Sequence, residues 1–343
     1  LTWEKSEQIN LGIDLGLFED RVFLTAEYYS TTTSGLLLNV PIAKATGFES
    51  SLLNIGEVAN NGFEFAVQSK NLVGDFKWTT SLNFAANRNE VLALGLNDDP
   101  IISGGGIAAT HITRTGDPLG SFYGFQFDGI YQTEDEIAAG PNWGDERPGD
   151  FKIADTDING EINNDDRTII GNPYPDFIYG MTNRLSYKNF DLNIIIQGSQ
   201  GNDVINLQKR FLANVTGAFN NRTDILERWR SPEEPGNGNV PRANRAPKGR
   251  NNSAPNSYWV EDASFMRIRN ITLAYNFPSS MLGNMPLTRA RVYASVQNAF
   301  TFTNYMGYNP EVNLNGNNPL TPGVDYGTYP IARVFSVGVN LGF

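Results

Sequence analysis

The chain has 343 residues, enough for one large domain or two ordinary ones. It contains no cysteine and one histidine, His111, which excludes a disulfide scaffold, a thiolate nucleophile and a zinc ribbon and leaves metal sites built mainly from oxygen ligands. A formal net charge of −11 argues against nucleic acid as a partner, and no run approaches the roughly 18 apolar residues of a membrane helix. The opening residues Leu1-Thr2-Trp3-Glu4-Lys5 carry neither the basic start nor the apolar core of a signal peptide.

Period-2 alternation dominates the chain from Ile9 onward. Ile9, Leu11, Ile13 and Leu15 alternate with Asn10, Gly12, Asp14 and Gly16, and after a short turn Val22, Leu24, Ala26 and Tyr28 continue the pattern. This predicts a hairpin with one apolar and one largely polar face. A second hairpin joins Phe63, Phe65 and Val67 to Phe76, Trp78, Thr80, Leu82 and Phe84 through a turn at Lys70 to Asp75. A third joins Phe177, Tyr179, Met181, Leu185 and Tyr187 to Phe190, Leu192, Ile194 and Ile196 through Lys188-Asn189. The fourth runs from Met266 and Ile268 through Leu273 and Tyr275, past Pro278, to Val292, Ala294 and Val296. Its first strand changes phase near Asn270, which predicts a bulge. Val337, Val339, Leu341 and Phe343 form a last strand, with Ser336, Gly338 and Asn340 on its other face.

These are nine strands, and their connections alternate without exception between short turns and long segments at 31–60, 88–175, 200–263 and 300–332. A soluble sandwich would show a turn about every 8–12 residues. Short turns on one side and long loops on the other are the pattern of an all-β, antiparallel transmembrane barrel. Tyr28, Tyr29, Tyr179, Tyr187, Tyr275 and Phe343 suit its interfacial girdles. The outward strand faces would meet outer-membrane lipid, and Asp14, Glu27, Glu64, Asn83, Arg184, Asn193, Arg267 and Arg269 would point into the lumen. Nine antiparallel strands cannot close on themselves, because the first and last would run parallel. The expectation is an open edge at segment 9–16 and a chain that forms the C-terminal part of a larger barrel. The last strand is expected to pair on both sides with its apolar set toward lipid.

The C-terminal half resembles the SusC/RagA family of TonB-dependent outer-membrane transporters of Bacteroidota. The residues that carry the resemblance are Tyr258-Trp259-Val260-Glu261-Asp262-Ala263-Ser264-Phe265-Met266-Arg267-Ile268-Arg269-Asn270, Arg291-Val292-Tyr293, Gln297-Asn298, Tyr308-Asn309-Pro310-Glu311 and Gly323 to Pro330. Upstream, Trp3-Glu4-Lys5, Thr46-Gly47-Phe48, Asn54-Ile55-Gly56, Gly171 to Phe177, Arg228-Trp229 and Pro241-Arg242 also match in family order. The resemblance implies that 1–343 is the C-terminal part of a 22-stranded barrel, strands 14 to 22, with the plug, the TonB-contact segment and the N-terminal strands absent from it. It further implies uptake of oligosaccharides or oligopeptides, capture under a SusD-like surface lipoprotein, and energy from TonB reached through the missing N-terminal part. The alternative is a structural or adhesive outer-membrane barrel whose loops bind partners. An outer-membrane hydrolase is the weakest alternative, since no nucleophile and base pair emerges and the acid pairs lie in polar loops without an apolar setting to raise a pKa.

Asp155-Thr156-Asp157-Ile158-Asn159-Gly160-Glu161-Ile162-Asn163-Asn164-Asp165-Asp166 has the spacing of an EF-hand loop at positions 1, 3, 5 and 6, with an acid at 12. Asp155, Asp157, Asn159, the Glu161 carbonyl and Asp166 are the expected ligands of one structural Ca²⁺ in the excursion 88–175. No helical pattern flanks the loop, so the expectation is a staple that braces the barrel mouth. Phe122 to Tyr131 belongs to the same excursion and is no membrane strand. Trp143, Trp229, Tyr258 and Trp259 could stack on sugar or peptide, but Trp229, in a short helical pattern at Asp224 to Arg230 with Asp224 and Glu227 in capping-box spacing, reads better as loop core. Arg267 and Arg269 read as internal salt-bridge partners and His111 as structural. Ser103-Gly104-Gly105-Gly106 lacks the lysine and helix of a phosphate loop and reads as a flexible tip. The net negative charge makes a strongly anionic substrate less expected, and nothing distinguishes glycan from peptide.

Overall fold

The computed structural model describes residues 2–343 apart from 43, 44, 46, 49, 96, 105–107, 214, 216–219, 245–253, 284 and 317. Thr46 of the Thr46-Gly47-Phe48 motif and Gly105 and Gly106 of the glycine-rich run therefore lie outside the described residues, while Ser103 and Gly104 end a strand.

The chain opens with β1 (Lys5–Leu17), β2 (Val22–Pro41), β3 (Ser50–Val73) and β4 (Phe76–Leu94). An excursion comes next that carries β5 (Ile101–Gly104), β6 (Ala109–Thr113), β7 (Ser121–Phe125), β8 (Phe127–Ile130), β9 (Phe151–Ile153) and β10 (Arg167–Gly171). Then come β11 (Phe177–Tyr187) and β12 (Phe190–Gln200), the short β13 (Asp203–Asn206) and β14 (Val260–Asp262), β15 (Phe265–Asn276), β16 (Arg289–Thr303), the two-residue β17 (Val324–Asp325) and β18 (Val334–Gly342). Nine of these form one antiparallel sheet in the order β1-β2-β3-β4-β11-β12-β15-β16-β18. They are the nine strands expected from the alternation. The sheet is open: β1 and β18 are its two edges, and among the described residues β18 pairs only with β16, not on both sides.

The faces obey the pleat. On the last strand Val337 is 80% and Val339 62% exposed while Ser336 and Gly338 are half-buried, and on the first strand the cross-strand row Ile13–Ala26–Phe65–Phe84 puts the apolar set on the same outward face, as expected. Aromatics gather at both ends of the outward band. Phe76 and Tyr187, Phe190 and Tyr275, and Tyr275 and Phe277 pair beside the short turns, with centroids 6.3, 4.9 and 5.1 Å apart. At the far end Phe84 stacks on Phe177 at 5.3 Å. Ten residues separate Phe177 from Tyr187 along β11. At about 3.3 Å per residue and a tilt near 40°, that is about 25 Å, the height of a barrel's apolar band.

The strands overrun that band. β3 has 24 residues, about 80 Å of chain, against the roughly 9–11 that cross a bilayer. The segment 31–60, expected as loop, is mostly paired strand: Thr31 faces Asn60 and Thr33 faces Val58. The physical reason is that alternation needs one face in lipid. Beyond the band both faces meet water or loop, and polar pairing takes over, as where Asn60 Oδ1 accepts from Asn87 and Asn89 at 3.2 and 3.0 Å. The turn expected at Lys70 to Asp75 shrinks likewise to residues 74–75, because β3 continues through a bulge between Lys70 and Leu72. The bulge near Asn270 is present, with a register shift between Ile268 and Asn270.

The long segments fold onto one another at one end of the sheet. β10-β7-β6-β5 form a four-stranded sheet and β8-β9 a two-stranded one, so Phe122 to Tyr131 is loop structure as expected. β13 joins β14 antiparallel and β17 in parallel, linking two different excursions. Phe122, Ile205, Leu207, Trp259 and Val324 share one buried cluster. A second cluster mixes the overrunning strand ends Leu38, Val58, Val91 and Leu94 with Ile101, Leu119 and Leu320. The overrun is thus the scaffold against which the loops pack. A charge on the outward face should be costly and the same charge on the inward face tolerated. Ile194→Arg, mid-strand and outward, is expected to lose about 2–4 kcal/mol of barrel stability in lipid vesicles, and Ser295→Arg, inward, less than half as much. Heat-modifiable mobility of the full-length protein on gels checks both.

Candidate functional site

Two polar constellations stand out at the looped end of the sheet. The first is the acidic loop. Asp155, Asp157 and Asp166 bring carboxylate oxygens within 4.8 Å of one another. Asp166 is buried and ends the short 3-10 turn Asn164–Asp166, where its oxygens accept from the Thr156 amide at 2.8 Å and the Asn163 amide at 2.7 Å. Asp155 accepts from the Gly160 and Asn159 amides at 2.8 and 3.2 Å. Gly160 holds φ +89°, a left-handed conformation that glycine adopts without strain. Asn159 donates its side-chain amide to Asp157 at 2.9 Å, and its carbonyl oxygen accepts from the Glu161 amide at 2.8 Å. Of the five expected ligands, then, three carboxylates converge. Asn159 touches two of them, and the Glu161 carbonyl makes no described contact with the group. Desolvation and the Asp155 and Asp166 charges push Asp157 above the usual carboxylate range. For Asp155, desolvation acts upward but is outweighed by the Gly160 and Asn159 amides, which hold it below. The donor set is hard oxygen, suited to Ca²⁺.

The second constellation lies on the lumenal wall. Arg267 on β15 is buried and pairs with Glu311 from segment 304–333, and also reaches Thr301 Oγ1 at 2.9 Å and Asn309 Oδ1 at 3.1 Å. It is the internal salt-bridge partner expected. Arg269 is not: its described partner is Gln197 Oε1 at 2.8 Å, and Gln197 in turn donates to Glu311 at 3.1 Å. The bulge explains the difference. It leaves Arg269 without a cross-strand partner, whereas Arg267 keeps Gln197 and Thr301 opposite it, so two arginines alike in sequence spacing differ in what holds them. The cleft that Arg269 borders, about 630 Å³, runs between β11, β12 and the segment around Pro310.

One expectation about acids is corrected here. Asp203, at the cleft wall, does have an apolar setting: burial first, then Asp262 and Asp176, raise its pKa, against the Asn172 amide. The first residue of β13 reads as polar loop in sequence, but in the fold its carboxylate lies close to Gly171, beside which Val260 and Phe122 also pack.

The aromatic candidates are core. Trp259 is fully buried, Trp229 packs with Ile130 and Phe151, and Trp143 meets Phe125 edge-on at 5.1 Å. The Tyr258 ring, partly buried, packs on Phe151 at 5.0 Å. Trp229 comes after a 3-10 turn at Thr223–Glu227 that has no side-chain cap, so the expected capping box does not form. Asp224 instead faces Arg222 at 3.5 Å. His111 is buried, bonded to Thr110 Oγ1 at 2.9 Å and to the Pro322 carbonyl at 2.8 Å, and burial lowers its pKa to about 4. It is a structural tie between two excursions. Asp14, Glu27, Glu64, Asn83, Arg184 and Asn193 all sit on the inward face, with Glu27 directly opposite Glu64.

Comparisons with known proteins agree with this architecture. The family model described as TonB dependent receptor-like, beta-barrel matches residues 1–318. TonB-dependent receptor P3 of Formosa agariphila is 40% identical across the whole chain, which covers 34% of that receptor. TonB-dependent receptor SusC of Bacteroides thetaiotaomicron is 30% identical, with 32% of its length covered. The solved structure of the RagAB peptide transporter superposes with a TM-score of 0.82 at 24% identity, over all of this chain and 36% of that one. The chain spans about a third of the length of the curated relatives it matches. These relatives are receptors, not enzymes, as the lack of a nucleophile and base pair leads one to expect. With its nine-stranded open wall and packed loops, the chain belongs to the TonB-dependent receptor β-barrel family.

Proposed function

We propose that this chain is the wall and outer mouth of an outer-membrane importer that takes up oligosaccharides or oligopeptides with energy from TonB. The observation that carries the reading is the division of the chain into an apolar band closed by short turns and a large, internally packed set of loops at the other end. An adhesive protein needs exposed loops. Here the loops bury their aromatics against the overrunning strands and line a cleft on the lumenal face. A SusD-like lipoprotein seated on the loops is the proposed partner, a reading supported by the likeness to SusC and to the RagAB transporter. In cells that depend on the full-length protein for growth on an oligomeric nutrient, loss of TonB is expected to abolish uptake. Uptake by the full-length protein that persists without TonB, or is absent for every glycan and peptide tried, would favour the structural or adhesive alternative.

The loop 155–166 is proposed as a calcium staple of this mouth. Asp155, Asp157 and Asp166 supply carboxylates, and Asn159 and the Glu161 carbonyl complete the set after a small rearrangement. Without a cation the three carboxylates repel, so Ca²⁺ should order the loop at about 2.3–2.6 Å per ligand. Limited proteolysis around residues 140–170 of the full-length protein checks it. Calcium is expected to slow cleavage of the wild type at least fivefold and to leave Asp157→Ala unprotected. Equal cleavage with calcium and with chelator would remove calcium from the account.

A further inference from the structure

The cleft on the lumenal wall contains one cation whose hydrogen-bonding capacity is largely unspent. From the geometry of this cleft we infer a carboxylate-binding subsite centred on Arg269, which selects oligomers bearing a carboxylate. This rests on the transport reading above.

The local charges are accounted for one by one. Arg267 is held by Glu311, Asn309 and Thr301, and its guanidinium lies over the Phe265 ring at 5.1 Å. The second oxygen of Glu311 accepts from Gln197, and the Gln197 carbonyl oxygen accepts from Arg269 Nη1. Arg269 therefore ends a chain of fixed groups, with one of its five N–H donors committed among the described residues. Its side chain is exposed and lines the cleft, and the bulge between Ile268 and Asn270 leaves it out of the cross-strand pairing. Asp203 also lines this cleft, and Arg269 is not among its described partners. Its carboxylate accepts from the Asn172 amide at 2.9 Å.

A guanidinium with a free planar edge matches a carboxylate with two parallel hydrogen bonds. The cleft volume of about 630 Å³ is that of a small-molecule site. Its level also fits. Gln197 pairs with Gly180, between Phe177 and Arg184 on β11, so Arg269 stands at the outer aromatic girdle, where a substrate enters the barrel. The acidic net charge of the chain does not oppose this. Asp14, Glu27 and Glu64 lie on β1 to β3, at the other end of the sheet from β15, which carries Arg269. The carboxylate could belong to a uronic acid of a glycan or to an acidic residue or C-terminus of a peptide.

The experiment uses the full-length transporter with its lipoprotein partner, purified in detergent. Two probe pairs are titrated calorimetrically: an oligogalacturonide against its methyl ester, and an Asp-containing peptide against its amidated Asn counterpart. Wild type is expected to bind one carboxylate probe at least tenfold more tightly than its neutral mate, and which pair shows the preference identifies the source. In R269Q that ratio should collapse to about one, and in R269K, which keeps charge but not the planar fork, it should fall between. Folding of each variant is tracked by heat-modifiable mobility. No preference within either pair in wild type overturns the subsite. So does a preference that survives R269Q, or one that falls equally in R269K and R269Q with wild-type folding. TonB-dependent uptake is measured alongside. If it persists while the preference is absent, the subsite alone has failed; if uptake itself is absent, the transport reading has failed.

Discussion

In hydrocarbon no water is available to satisfy a peptide group, so each strand must give its N–H and C=O groups to its neighbours. Everything in this chain is arranged around that pairing. Antiparallel register runs unbroken from Lys5–Ser34 in the first pair through Tyr187–Phe190 in the middle to Val292–Val339 in the last, apart from the bulges. Once register is fixed, the faces are fixed. A slip of one residue would bring Asp14, Glu27 and Arg184 to lipid and Ile13, Ala26 and Leu185 to the lumen. The short turns tolerate no such slip: β11 and β12 are joined by two residues, with Lys188 at φ +53°.

The same pairing supports the mouth. Because β2, β3 and β4 continue past the apolar band, Leu38, Val58, Val91 and Leu94 become a buried floor for Ile101, Leu119 and Leu320. The excursions are then tied to one another and to the wall. The parallel β13–β17 ladder and the His111–Pro322 bond each join residues far apart in sequence, and the Tyr305–Asp325 bond closes the last excursion on itself. Arg267 and Glu311 fasten segment 304–333 to the wall itself. Removing Glu311 would leave a buried guanidinium short of its counter-charge, a costlier change than loss of an exposed pair.

Sequence alone made the membrane part legible because lipid imposes a strict period. Nine strands, their faces and the bulge at Asn270 could all be read from alternation. Strand ends could not. Thr31 to Ser34 and Asn60 to Gly62 are polar on both faces, and nothing in them distinguishes paired strand from loop. The acidic loop was legible through its spacing, and three of its five expected ligands converge. The separate roles of Arg267 and Arg269 were hidden, since they depend on how a one-residue bulge turns the backbone. Asp203 was hidden too. Its surroundings come from the chain at Gly171, Asn172 and Asp262, well away from it in sequence, which no local pattern encodes.

In the importer proposed above, the long segments lie outside the cell and the short turns inside the envelope. These 343 residues contain no cysteine, and labelling of the unsubstituted full-length parent is the background against which each single substitution is read. Ile158 in the acidic loop is 88% exposed, and Gly74 sits in the β3–β4 turn. Intact cells expressing full-length Ile158→Cys or Gly74→Cys are treated with a membrane-impermeant maleimide, before and after the outer membrane is opened. Labelling of Ile158→Cys on intact cells, and of Gly74→Cys only after opening, is the predicted result. Labelling in the opposite order, or of both sites on intact cells, would contradict the account.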